Sequence, residues 1–337
     1  MLQNDFSSLV PEIICNIATN CFIFRIFCYN IFATSFMHTN TNKSYMKGEM
    51  RMKKLVHCSC GSKKPIFQCC QSSNTRVFVL QFSKPNERKQ MMRKIQVSDE
   101  FGMRKRGLFQ FYGNDLIAYK LELPKSRRRN TFLEILSSYF TEYLEDACPA
   151  SWQECQTPFW EEFLFIHYPN YIKLTPDEKE VERFIKQFIK FTRWLDLRVG
   201  TKIYPLIIPI VNNSLIELKK CERYINILFL HTYPDYYSDH WDPLQDIKDN
   251  NEYFDQFHSR SQALFEITYV TGPIFTAIDL DTNLSFQLTG LPSEITVGTI
   301  INGFLAKRDT NWIWTWDSPV GVFPKQAKKY LKDVILT

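Results

Sequence analysis

The sequence predicts an α+β chain made of a small cysteine-rich knuckle, a mixed and largely helical central domain, and a small antiparallel β-barrel or meander at the C-terminus. Three observations predict it. Four of the ten cysteines are packed into residues 58–70, apolar residues recur at helical spacing between 131 and 230, and short alternating runs separated by turn residues fill the chain from 263 onward. These observations divide the chain into residues 1–51, 52–72, 73–235 and 260–337.

Residues 9–36 hold the longest apolar stretch. Asn16, Asn20, Arg25 and Asn30 interrupt it, and an interior Arg costs a membrane span a few kcal/mol. The early charges Asp5 and Glu12 are acidic, whereas a signal peptide opens with basic ones. Its Ile, Phe, Asn and Cys content is what translated AT-rich untranslated DNA yields. Lys47-Gly48-Glu49 can be encoded by a ribosome-binding purine run, and Met52-Lys53-Lys54-Leu55 reads like a bacterial N-terminus. The mature chain is therefore expected to begin at Met52 or, alternatively, Met50. Residues 1–51 are then a non-native extension, with a membrane-associated helix or a disordered tail as the other readings.

Residues 57–70 read HCSCGSKKPIFQCC. Four thiolates close a tetrahedral zinc site, and an all-cysteine set leaves no open position for water, which makes such a site structural. Cys58 and Cys60 project from one side of an extended segment, Gly61-Ser62 turns the chain, and Cys69-Cys70 complete the set from the far side. Zinc with four thiolates carries a net charge of about −2, which Lys53, Lys54, Lys63 and Lys64 offset. The remaining cysteines are scattered, unlike a disulfide framework, and a reducing, cytoplasmic setting is expected.

The arrangement resembles the SEC-C motif, a zinc-binding segment first associated with the C-terminus of the SecA translocation ATPase. Its pattern is Cys-x-Cys-Gly-Ser, six further residues, then Cys followed by Cys or His. Cys58, Cys60, Gly61, Ser62, Cys69 and Cys70 fill every defined position. Ser59 stands where Pro is common, Lys63 where Gly is common, and Pro65-Ile66-Phe67 replaces a more basic stretch. The resemblance covers thirteen of 337 residues and implies one structural Zn²⁺. In SecA it implies contact with the chaperone SecB and the ribosome. The resemblance thus points to a non-catalytic adaptor that docks a protein or ribosome partner. No phosphate-binding loop of the motor type is present.

Charge is distributed unevenly. Residues 51–130 hold 19 Lys/Arg against 5 Asp/Glu, a net of +14, while residues 131–337 hold 19 against 28, a net of −9. The basic stretch supports an alternative, nucleic-acid binding through Lys63, Lys64, Arg127, Arg128 and Arg129. A solvated linker and attraction between the two halves are the competing readings. For an enzyme, the sequence offers only Cys148, Cys155 and His167 as an imitation of a thiol set, and it lacks a nucleophile-elbow or dinucleotide motif.

Alternation predicts strands at 76–82 and 108–123, with a basic helix or loop at 85–106 between them. Asn130 is the expected cap of a helix over 131–147, and the aromatic run 158–168 is read as helix. Capping boxes at Thr175–Glu178 and Ser214–Glu217 predict helices over 176–199 and from 214 to about 230, the first ended by Gly200. The acidic stretch 231–258, with Asp235, Asp239, His240, Asp242, Asp246, Asp249 and His258, is read as a solvated loop, with a hard-cation site as the alternative. About five strands follow, then a short helix over 325–334. Trp312, Trp314 and Trp316 alternate and so share a face. Facing inward they are barrel core, the reading adopted; facing outward they form a stacking or peptide surface.

Overall fold

The computed structural model describes residues 82, 84–308 and 312–334. Helix and strand are both present, and among the described residues the strands lie in the C-terminal part, so the chain is α+β. The four motif cysteines, Lys63, Lys64 and all but Phe82 of the expected strand 76–82 lie outside the described residues. Among the described residues, no helix is long and apolar enough to cross a membrane. The chain divides by contact into two compact units. Among the described residues, one contains those from 82 to 168 and from 182 to 213; the other contains those from 169 to 181 and from 214 to 334.

In the first unit, α1 (Pro85–Asp99), α2 (Gly113–Glu122), α3 (Arg127–Ser138) and α4 (Thr157–Glu162) are joined by short turns. The alternation that predicted a strand over 108–123 is overridden. Leu116, Ile117, Tyr119 and Lys120 are buried at helical spacing, and a Cβ on Gly113 would stand 2.1 Å from the Gly107 carbonyl oxygen. That close approach, available only to glycine, lets the chain enter α2 directly from the preceding turn. The third helix starts earlier than expected because Ser126, not Asn130, is its cap and accepts the Arg129 N–H at 3.3 Å. Both α3 and α4 run on into a π-turn, Tyr139–Tyr143 and Phe163–His167.

The interior of this unit is aromatic. Tyr112 stacks on Phe140 with ring centroids 4.2 Å apart, Tyr168 on Phe184 at 3.6 Å, and Trp160 meets Phe188 at 5.5 Å. Trp160 is wholly enclosed, and its Nε1 donates to the Cys155 carbonyl at 2.9 Å. Burying rings of this size contributes roughly 2–3 kcal/mol each, which accounts for a stable interior in a chain poor in glycine.

Two further helices, α5 (Glu180–Val199) and α6 (Ile203–Thr232), cross the division between the units. Gly200, at φ +75°, ends α5 as its position predicts, and the Asp196 carboxylate then accepts the N–H groups of Ile203 and Tyr204 at 2.8 and 2.9 Å. This cap starts α6 eleven residues before Ser214, which is buried in mid-helix and opens nothing. Thr175–Glu178 is a turn, not a helix start, and the first N–H groups of α5 are satisfied by Glu222 at 2.6 and 3.2 Å.

In the second unit, α7 (Pro243–Phe254) is followed by strands β1 (Ser259–Thr271), β2 (Ile274–Asp279), β3 (Ser285–Thr289), β4 (Ile300–Lys307) and β5 (Trp314–Phe323), then by α8 (Lys328–Val334). Strands β1 to β3 form consecutive antiparallel neighbours, and β4 returns to pair with β1, the Greek-key order. Strand β5 pairs with β4 and closes on β3, so the ring β1-β2-β3-β5-β4 is complete. The closing pair is parallel and two residues long, Leu288↔Trp314 and Thr289↔Thr315, so the sheet is neither wholly antiparallel nor a meander. Phe265, Ile267, Phe275, Ala277, Leu288, Leu305 and Trp316 are buried in this unit. A Cβ on Gly303 would stand 2.4 Å from the Trp316 ring, so this glycine makes room for the indole.

Candidate functional site

The basic cluster separates into two roles. Arg127 and Arg128 are exposed in the first turn of α3. Arg129 points inward: its guanidinium lies 3.9 Å from the Tyr119 ring centroid, donates to the Tyr119 carbonyl and pairs with Glu122 at 3.6 Å. It holds α2 to α3 and is not offered to a phosphate. Two cations at a helix N-terminus oppose the helix dipole, at a cost of roughly 0.3–1 kcal/mol each.

Nor do Cys148, Cys155 and His167 combine into a thiol site. Burial pushes the half-buried Cys148 thiol up to about 11, with Arg106 opposing the shift, and burial also raises Cys155. A reactive cysteine needs the opposite shift. His167 Nε2 lies 2.8 Å from Ser138 Oγ and 3.2 Å from the Ile135 carbonyl oxygen. A carbonyl only accepts, so the contact to Ile135 is a hydrogen bond in the tautomer with its proton on Nε2, while Ser138 Oγ itself donates to the same carbonyl at 3.0 Å. The neighbouring Glu162 accepts the hydroxyls of Tyr139 and Tyr143 at 3.2 and 2.9 Å. Burial, reinforced by that carboxylate, holds both tyrosines far above their ordinary range. The cluster ties the two π-turns together.

Several acidic residues of 231–258 have structural partners. Asp242 caps α7 by accepting from Leu244 and Gln245 N–H groups, Asp246 accepts Trp241 Nε1 at 2.8 Å, and Asp249 accepts Gln245 Nε2 at 2.6 Å. Among the described residues, no group of three or more His, Cys, Asp or Glu side chains is placed to hold a metal ion.

The tryptophan row gives the least expected result. Alternation along β5 applies to Trp314 and Trp316, whereas Trp312 stands in a bend before the strand begins, and the surroundings of the three differ. Trp316 is barrel core, Trp314 is half-buried at the start of β5, and Trp312 is 90% exposed. The inward reading fits Trp316 and does not fit Trp312. Lys307, at the end of β4, places Nζ 5.6 Å from the Trp312 centroid and 5.8 Å from that of Trp314. Arg308 lies 4.8 Å from the centroid of Phe257, which precedes β1. Nearby, Arg260 is committed to Asp317, whose side chain is fully buried and also accepts Asn250 Nδ2 at 3.0 Å. Sequence alternation identified the row but missed the two cations, because Lys307 and Arg308 meet the rings only through strand pairing. No protein-family model matches the chain, and neither a curated protein nor a solved structure matches it.

Proposed function

We propose that the chain is an adaptor whose zinc knuckle, formed by Cys58, Cys60, Cys69 and Cys70, docks a protein or ribosome partner in the cytoplasm. The observation that carries this reading is the spacing of the four cysteines around Gly61-Ser62. A closed four-thiolate site has no coordination position for substrate or water, so its zinc organises a surface and performs no chemistry. Lys53 and Lys54 before the motif and Lys63 and Lys64 within it favour the thiolate form and add positive charge.

The test begins with the purified full chain. Elemental analysis should find about one zinc per chain, and the Cys69→Ser/Cys70→Ser double variant should lose it. Affinity capture from the native cell with both forms should then yield partners held by the wild type alone. A metal-free wild-type chain overturns the zinc site, and a partner set unchanged in the double variant overturns the docking role.

A second reading, nucleic-acid binding through the basic region 51–130, is favoured by one specific observation. Arg127 and Arg128 stay exposed at the unfavourable end of a helix dipole. Neutralising both should weaken binding to mixed RNA and lower its salt dependence. No binding at low salt removes this reading.

A further inference from the structure

We infer that the rim of the barrel carrying Lys307, Arg308, Trp312 and Trp314 binds single-stranded nucleic acid. Its residues are distinct from those of the knuckle and from the arginines of α3.

The inference rests on how aromatic surface and positive charge are combined. A single exposed tryptophan is ordinary. Here Trp312 is almost wholly exposed, Trp314 is half-buried two residues on, and one ammonium group sits within 6 Å of both ring centroids. Arg308 adds a second cation beside Phe257. Neither cation has a carboxylate partner among the described residues, whereas neighbouring Arg260 is neutralised by Asp317. Residues 309–311 lie outside the described residues and take no part in the argument.

Unpaired bases offer π-faces to exposed rings, and the phosphates between them seek cations. Sites that bind single strands combine these two features. A duplex keeps its bases stacked on each other and cannot use the Trp312 face. An acidic peptide without aromatic or apolar side chains would satisfy the cations and leave the indole without a matching surface. Two of the groups are held in place: Trp314 belongs to the register that closes the barrel, opposite Leu288, and Lys307 ends the strand paired with β5. A preformed surface loses less entropy on binding than a mobile one.

The experiment uses the full chain and a labelled twelve-nucleotide oligouridine, followed by fluorescence anisotropy at several salt concentrations. Trp312→Ala should weaken binding about tenfold, equivalent to ~1.4 kcal/mol for one stacked base, and Trp312→Phe should restore much of the loss. Lys307→Ala should weaken binding and reduce its salt slope by about one. Because Trp312 lies almost wholly in solvent, its replacement should leave the thermal midpoint unchanged, which separates lost contact from lost fold. Equal binding by wild type and Trp312→Ala overturns the inference, as does loss only on neutralising Arg127 and Arg128. It is also overturned if polyglutamate or a matching duplex binds as tightly as the single strand. Zinc content, measured on the same samples, should be the same in every variant, so a failure here is distinguishable from failure of the knuckle.

Discussion

The two units draw on the same residue types and use them differently. In the helical unit, tryptophan and phenylalanine are enclosed: Trp160 is surrounded by other rings and its one polar atom has a carbonyl partner. In the barrel unit, three tryptophans in alternation run from full burial at Trp316 to nearly full exposure at Trp312. Aromatic content alone therefore does not separate core from surface. The neighbours decide: a glycine opposite Trp316 opens space for it, and a lysine beside Trp312 faces the same water as the ring.

Substitutions can break this comparison at either end. The largest effect is expected from Trp160→Ala, which removes a fully enclosed ring and should lower stability by about 3–5 kcal/mol in chemical denaturation. A loss below 1 kcal/mol would show that the helical interior is loosely packed. Next comes Gly303→Ala. Its Cβ would overlap Trp316 and lie 2.9 Å from the Ser318 carbonyl oxygen, so the barrel should lose about 1–3 kcal/mol. Changed near-ultraviolet circular dichroism would report the displaced indole.

A smaller, pH-dependent effect concerns Glu222. Burial raises its carboxyl above the ordinary value despite two backbone N–H groups that favour the charged form. The folded chain then holds this proton more tightly than the unfolded chain. Stability should fall as pH rises from the usual carboxylate range through the raised value. Glu222→Gln should flatten that part of the pH profile, read from urea midpoints, and an unchanged slope would assign the dependence to other groups. Smallest of all, Trp312→Ala should shift stability by no more than about 0.5 kcal/mol. A larger loss would place this ring in the fold and not in a binding surface.

The strands of the barrel were legible in the sequence as short apolar or alternating runs with turn residues at their ends, although β4 and β5 are buried almost continuously and not on one face alone. The barrel's closure was not, since the β3–β5 contact is parallel and joins residues 26 positions apart through only two pairs. Helix type was legible for α5 but its start was not, because its N-terminal cap is Glu222, 42 residues away, and not the local Thr175. The start of α6 was hidden behind Ser214, whose box pattern is complete but which is buried in mid-helix, while the carboxylate that caps the helix, Asp196, lies seven residues before Ile203 and outside any box spacing. For 108–123, Phe109 and Phe111 imitate a strand, while the contact between Gly107 and Gly113 that turns the chain into a helix leaves no periodic signal. Among the candidate sites, local sequence identified the cysteine cluster by spacing alone. Arg129 could not be told from Arg127 and Arg128 until Tyr119 and Glu122 were seen around it.

Closure of the five-strand ring also limits how this unit can meet other chains. A sheet with an open side exposes unpaired backbone groups, and an extended peptide can add to them as an extra strand. Each of the five strands here already has two neighbours, so no strand lies wholly at an edge and that mode of capture is restricted, together with the edge-to-edge aggregation that accompanies it. The β3–β5 seam, held by two residue pairs, is where an intruding strand would meet least resistance. It begins at Trp314, beside the same rim that carries the exposed indole.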